Sequence, residues 1–77
     1  MTRVRYFAAA EEAVGRAEEV RGEPTLGALR TALLAEHPGL DGILPRCAVL
    51  VDGARTEDDA ALTDDTLVDV LPPFAGG

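Results

Sequence analysis

The stretch Thr66-Leu67-Val68-Asp69-Val70-Leu71-Pro72-Pro73-Phe74-Ala75-Gly76-Gly77 organises the reading of the whole chain. From Thr66 to Leu71 the residues alternate as a half-buried strand does, Val68 and Val70 pointing one way and Leu67, Asp69 and Leu71 the other. The strand then meets two prolines. Neither can donate a backbone hydrogen bond, and both favour an extended path. The expectation is a domain over residues 1–71 and a projecting arm over 72–77. Such an arm spans about 18–20 Å when fully extended. Gly76 and Gly77 lack a Cβ, so they fit a narrow channel and leave the last carbonyl open to attack from either face. The candidate reactive group is therefore the α-carboxylate of Gly77. Near neutral pH that group is an anion and a poor electrophile, with a pKa of about 3.5. It needs activation, for which adenylation by ATP on a partner enzyme is the simplest chemistry. A sulfur nucleophile would then leave a thiocarboxylate, and a lysine amine would leave an isopeptide-linked tag.

Working back from this end, Cys47 to Val51 forms an apolar strand, and Asp52-Gly53 is a two-residue hairpin signal leading into Ala54-Arg55. The segments Glu57-Asp58-Asp59 and Asp64-Asp65 read as solvated acidic loops around a short turn at Ala60 to Leu62. A helix starts at Thr25, a candidate N-cap, and aligns Leu26, Leu29 and Leu33 on one face, with Leu34 at its flank, before Pro38-Gly39 ends it. Arg30 is expected to lay its stem along the sheet edge with its guanidinium in water. Gly27 costs this helix about 1 kcal/mol against alanine and marks a candidate close approach. A Gly/Pro-punctuated loop carries Leu40, Ile43 and Leu44. At the other end of the chain, Arg3 to Ala8 alternates with Val4 and Tyr6 on one face and Arg3, Arg5 and Phe7 on the other. Ala9 to Val14 is a short helical turn stopped by Gly15, and Arg16 to Val20 is a weak strand. The order is strand, strand, helix, strand, strand, which fits an α+β fold with a mixed sheet covered on one face by one main helix.

Composition sets limits. The chain has 77 residues, 47% of them apolar, with two Phe, one Tyr and no Trp, so its core is built from Leu, Val and Ala. No apolar run reaches the length of a membrane span, and the N-terminus lacks the layout of a signal peptide, so the expected location is cytoplasmic. Fourteen acidic residues against seven arginines give a net charge of −7. That disfavours nucleic acid and anionic membranes as partners and favours a basic protein. No lysine occurs, so no side-chain amine is available to be acylated. Cys47 reads as a small hydrophobe and His37 as a helix-terminal residue, so no metal site is expected.

With these elements placed, the chain resembles the β-grasp, ubiquitin-like sulfur carriers, and within them the small subunits of molybdopterin synthase. The likeness is carried by Val4-Arg5-Tyr6-Phe7-Ala8-Ala9-Ala10 with Gly15, by Val70-Leu71-Pro72-Pro73-Phe74-Ala75-Gly76-Gly77, and by the ordered middle signals at Pro24-Thr25-Leu26, His37-Pro38-Gly39 and Leu50-Val51-Asp52-Gly53. The resemblance implies a β-grasp fold and a non-catalytic carrier subunit of a sulfurtransferase complex. In such a carrier, an enzyme related to ubiquitin-activating enzymes adenylates Gly77 with ATP, and sulfur is then installed as a thiocarboxylate. The loaded arm enters a large subunit, as a heterotetramer, and gives up its sulfur for the molybdenum cofactor. No cofactor is bound by the carrier itself. Gly77 matches the sulfur-bearing residue and Gly76 its neighbour in the channel. Phe74 is larger than the apolar residues common at that place, which bears on the channel fit. Expected partner contacts are Gly76, Ala75, Phe74, Pro73, Pro72, Leu71 and Phe7, the last two forming with Phe74 a small apolar patch. Competing readings are a sulfur carrier for thiamine, cysteine or a thio-metabolite, a ubiquitin-like modifier of target lysines, and an interaction domain with an inert tail. Thiamine carriers are usually shorter and lack an alanine-rich segment like Ala8 to Ala13.

Overall fold

The computed structural model describes residues 1–73, so the expectations placed on Phe74, Ala75, Gly76 and Gly77 lie outside the described residues. Five strands and two helices follow one another as β1 (Thr2–Tyr6), α1 (Ala8–Val14), β2 (Glu18–Arg21), α2 (Leu26–Glu36), β3 (Ala48–Val51), β4 (Ala54–Arg55) and β5 (Leu67–Leu71), with two short 3-10 turns between α2 and β3. They form one sheet in the order β2-β1-β5-β3-β4. β1 and β5 run parallel, from Arg3 opposite Leu67 to Tyr6 opposite Val70, and every other pairing is antiparallel. The mixed sheet covered on one face by a main helix is the architecture the sequence pattern implies.

The alternation of β1 and β5 decides which face is covered. Val4, Tyr6, Val68 and Val70 are buried together with Val49 of β3, and α2 lays Leu26, Leu29 and Leu33 into the same cluster, closed below by Leu40, Leu44 and Ala10. Burying each large aliphatic side chain is worth about 1.5–3 kcal/mol against leaving it in water, so this single layer supplies most of the driving force. Thr25 caps α2 by accepting a hydrogen bond from the Ala28 amide at 3.2 Å. Gly27 is indeed a close approach: its amide donates to the Asp58 carbonyl at 2.8 Å, and a Cβ there would sit 3.1–3.2 Å from Asp58. Arg30 gains a partner that its place on the helix stripe does not reveal. Its Nε donates to the Asp58 carboxylate at 2.9 Å, so the acidic turn is pinned to the helix from two sides. β2 starts two residues later than the sequence suggests and runs one further, because Glu18 pairs with Arg5 and Arg21 with Thr2 in the ladder. The Asp52-Gly53 turn has both residues at positive φ, 50° and 84°, as a two-residue hairpin of this type demands.

On the covered side, a polar strap ties β2 to the far end of α2. The Arg21 guanidinium donates to Glu23 (Nη2–Oε2, 2.7 Å) and Glu36 (Nη2–Oε2, 2.7 Å), with Glu19 at 3.6 Å. These hydrogen bonds hold the Glu23 and Glu36 carboxyls below the usual carboxylate range. Tyr6 is buried and donates its hydroxyl to Glu19, and burial first, then that hydrogen bond, pushes its pKa far up.

Carboxylates with depressed folded pKa values lend stability above their unfolded pKa, near 4.5, and withdraw it as pH falls below that. A raised tyrosine pKa lends stability below 10.0 and withdraws it as pH rises beyond. The melting temperature is therefore expected to be flat through neutrality and to drop below about pH 4.5 and above about pH 10. Arg21→Leu should cost about 1–2 kcal/mol at pH 7, a value discounted for the exposure of its partners, and should flatten the acid limb of the curve.

Candidate functional site

The parallel pairing of β1 with β5 brings the end of the last strand beside the end of the first. The Phe7 amide donates to the Val70 carbonyl at 3.2 Å, so Phe7 continues the ladder one step and stands next to Leu71. Ala48 of β3 completes that row opposite Leu71. Immediately after Phe7 the chain turns sharply. Ala8 takes φ 50°, a left-handed conformation unusual for a non-glycine residue, and α1 begins there with the Phe7 carbonyl accepting from the Ala10 amide at 3.0 Å. This kink lets Phe7 keep its place on the sheet while α1 folds back over the core. Phe7 is 37% exposed, and Leu71 is half-buried on the same face. Pro72 is buried and Pro73 exposed, so contact with the body of the domain runs one residue past Leu71.

Of the expected partner contacts, the structure thus brings Phe7 and Leu71 side by side at the point where β5 ends, with Pro72 and Pro73 following. The remaining four lie outside the described residues. Sequence reasoning missed a further feature of this face. The Arg5 guanidinium forms a two-pronged pair with Asp69, Nε to Oδ1 at 2.7 Å and Nη2 to Oδ2 at 2.9 Å, and lies 5.6 Å from the centroid of the Phe7 ring. The hydrogen bond to Asp69 raises the Arg5 pKa, and the ring face adds a cation–π contact. Alternation alone places Arg5 and Asp69 on outward faces of their strands. Only the parallel register, which no local signal encodes, puts them opposite each other.

Elsewhere the titratable groups read as structural. Cys47 is half-buried, its thiol donates to the Ile43 carbonyl at 3.3 Å, and burial pushes its pKa up. Among the described residues, no group of three or more His, Cys, Asp or Glu side chains is placed to hold a metal ion. Nor, among them, is any helix long and apolar enough to cross a membrane. A shallow hollow of about 330 Å³ opens at the other end of the uncovered face, lined by Met1, Arg3, Val20, Asp64, Asp65, Thr66 and Leu67. The Met1 ammonium and Asp64 pair across its rim.

A five-strand mixed sheet with this order, one face covered by a helix and the last strand central, defines a ubiquitin-like β-grasp domain. The chain belongs to the ThiS family, whose model matches residues 4–77. It is 32% identical to the molybdopterin synthase sulfur carrier subunit of Chlamydomonas reinhardtii, over 97% of this chain and 96% of that one. A solved complex of subunits 1 and 2 of the molybdopterin-converting factor of Helicobacter pylori contains a chain 27% identical to it, with a TM-score of 0.72 over 99% of this chain and 97% of that one. The fold is also that of a putative molybdopterin converting factor subunit 1 of Pyrococcus furiosus, with a TM-score of 0.83 at 23% identity over 94% of this chain and 95% of that one.

Two outcomes test the local geometry. Replacing Ala8 by glycine should stabilise the domain by about 0.5–1 kcal/mol in chemical denaturation, whereas Ala9→Gly, inside the same helix, should cost about 1 kcal/mol. At pH 8, Cys47 should react with a thiol reagent more slowly in the folded chain than in denaturant, since a half-buried thiol kept neutral is a poor nucleophile.

Proposed function

We propose that the chain is a sulfur carrier for molybdopterin synthesis, with the α-carboxylate of Gly77 as the group that is loaded and unloaded. The observation that carries this reading is the family match extending through Gly77 itself, joined to the likeness of the whole chain to a molybdopterin synthase sulfur carrier subunit. The chemistry follows from the carboxylate. A Gly77 oxygen attacks the α-phosphate of ATP in an activating enzyme, pyrophosphate leaves, and the acyl-adenylate is an electrophile that the free acid is not. Hydrosulfide then takes the carbonyl, forming the C–S bond as the C–O bond to AMP breaks and AMP departs. The resulting thiocarboxylate carries its charge on a soft sulfur that can attack an acceptor held by a second protein.

The carrier supplies no catalytic side chain. Its part is to present the terminus beyond Pro73, to fix where that terminus starts, and to be recognised. Phe7 and Leu71, beside the end of β5, are the natural apolar contacts for both partners, with Phe74, Ala75 and Gly76 following into a channel. A large synthase subunit is the second partner, as in the Helicobacter pylori complex of subunits 1 and 2, and a heterotetramer is the expected assembly. Cytoplasmic location fits the need for ATP.

Co-expression with the activating enzyme and a sulfur donor should yield, by intact-mass analysis, a species in which one oxygen at Gly77 is replaced by sulfur. Deleting Gly77 should abolish that species while leaving the melting temperature unchanged. Lysine-linked adducts on other proteins without any thiocarboxylate would show a protein modifier instead. No ATP-dependent change at all would reject carrier and modifier alike.

A further inference from the structure

Every cationic side chain of fixed charge in this protein is a guanidinium: seven arginines and no lysine. Three of them need to be. Arg5 gives Asp69 two parallel hydrogen bonds, Arg21 divides its nitrogens between Glu23 and Glu36, and Arg30 aims its Nε at Asp58. An ammonium reproduces none of these geometries. The other four are different. Arg3 and Arg16 each stand at the long end of ion-pair range from one glutamate, 3.5 Å to Glu18 and 3.9 Å to Glu19. Arg46 and Arg55 are exposed and enter no ion pair among the described residues. A lysine at any of these four positions would serve the fold as well, so folding alone does not account for arginine there.

Where these cations stand relative to the end of β5 gives the choice a chemical meaning. Ala48 is opposite Leu71, and Arg46, which closes the second 3-10 turn (Leu44–Arg46), precedes Ala48 by two residues. Two residues of chain and one ladder spacing put the Arg46 Cα within about 12–13 Å of the Leu71 Cα. The six residues after Leu71 span about 20 Å at full extension, so the Gly77 carboxylate has the reach to meet the side chain at position 46. Met1 carries the remaining amine, and the parallel ladder sends it the other way. Arg3 is opposite Leu67, so Met1 lies about six residue rises, roughly 20 Å, from the level of Leu71. The same six residues cover that distance only by reversing at Leu71 with none spent on the turn, and the Met1 ammonium is engaged by Asp64. One end of the sheet holds a guanidinium within range of the terminus, and the other holds the amine out of range.

We infer that Arg46 is a specificity-determining residue, which keeps a positive charge beside the end of β5 while withholding the amine that would consume an activated Gly77. This deepens the carrier reading and rests on it. An acyl-adenylate reacts with an amine as it does with hydrosulfide. The nitrogen forms a C–N bond to the Gly77 carbonyl carbon, the C–O bond to AMP breaks, AMP leaves with the electron pair, and the proton of the nitrogen passes to water. About one lysine in a thousand is free amine at pH 7.4, but a short tether raises its effective concentration to the order of millimolar. The amide so formed is a dead end for sulfur transfer, since the carbonyl is no longer activated. A guanidinium keeps its proton at any such pH and offers no free amine. Selectivity for sulfur over nitrogen is thus set in the carrier by residue type at a position the terminus has the length to visit.

The test is incubation of the full chain with its activating enzyme and ATP, without a sulfur donor, followed by intact-mass analysis. ATP–pyrophosphate exchange is measured in parallel, with a melting curve for each variant. The unaltered chain should exchange pyrophosphate and form no amide. Arg46→Lys should exchange at the same rate and accumulate a monomer lighter by one water. That product should form at least about tenfold faster than from Arg3→Lys, whose amine stands beside the start of β5 and is reached only by reversing the arm. Its rate should climb about tenfold per pH unit between pH 7 and 8.5, as the amine loses its proton. Arg46→Gln should match the unaltered chain, which separates the new amine from the lost guanidinium. Arg46→Lys that exchanges pyrophosphate normally yet forms no amide would overturn the inference, as would an unaltered chain or Arg3→Lys that acylates itself equally fast. If the unaltered chain supports no pyrophosphate exchange, the carrier reading fails; if it does and the Arg46→Lys product is absent, only this inference fails.

Discussion

Pairing the first strand parallel to the last is the constraint on which everything else in this domain depends. A parallel pair cannot be closed by a tight turn; it needs a long crossover, and here the whole body of the chain, including α2, is that crossover. With β5 central, flanked by β1 and β3, its buried valines at positions 68 and 70 nucleate the layer that α2 covers. The same pairing sets the direction in which the chain leaves the sheet. Because β1 and β5 point the same way, the end of β5 emerges beside Phe7, at the kink where Ala8 turns into α1. Core and site are thus two consequences of one ladder.

Much of this was legible residue by residue. The alternation in Arg3 to Tyr6 and in Leu67 to Leu71 fixed which side chains face inward, since a one-residue slip would expose every valine of the layer. Thr25, Gly15 and Asp52-Gly53 act locally, through a side-chain cap or a positive φ, so the sequence alone reveals them. What was hidden is what depends on distant segments meeting. Arg30 reaches Asp58 across 28 positions and Arg5 reaches Asp69 across 64, and neither distance leaves a periodic trace. The edges of β2 were misplaced for the same reason: glutamate and alanine have little strand preference of their own, and pairing with β1 decides where the strand begins.

The two arginine clusters of the sheet show how burial divides one residue type into two roles. Arg21, on the covered side, has its guanidinium shared among Glu19, Glu23 and Glu36, so its hydrogen-bonding capacity is spent within the molecule and its effect is mechanical, holding the end of α2 against β2. Arg5, on the open side, meets a single carboxylate and keeps donors facing outward. An arginine satisfied on all edges stabilises; one satisfied on a single edge is oriented.

That distinction bears on how a partner protein can recognise a small carrier. A terminal glycine offers a partner almost no surface to recognise, and a diglycine can enter any channel narrow enough to exclude side chains. Discrimination must therefore reside in the body of the domain, at a place whose position relative to the end of β5 is fixed. The uncovered face meets that condition because Arg5, Phe7 and Leu71 are held by the same two strands whose pairing determines where β5 ends. Any partner that seats the face correctly meets Pro72 and Pro73 at a fixed offset. Rigid placement of a recognised surface, rather than any property of the glycines, is what would make delivery of the terminus specific.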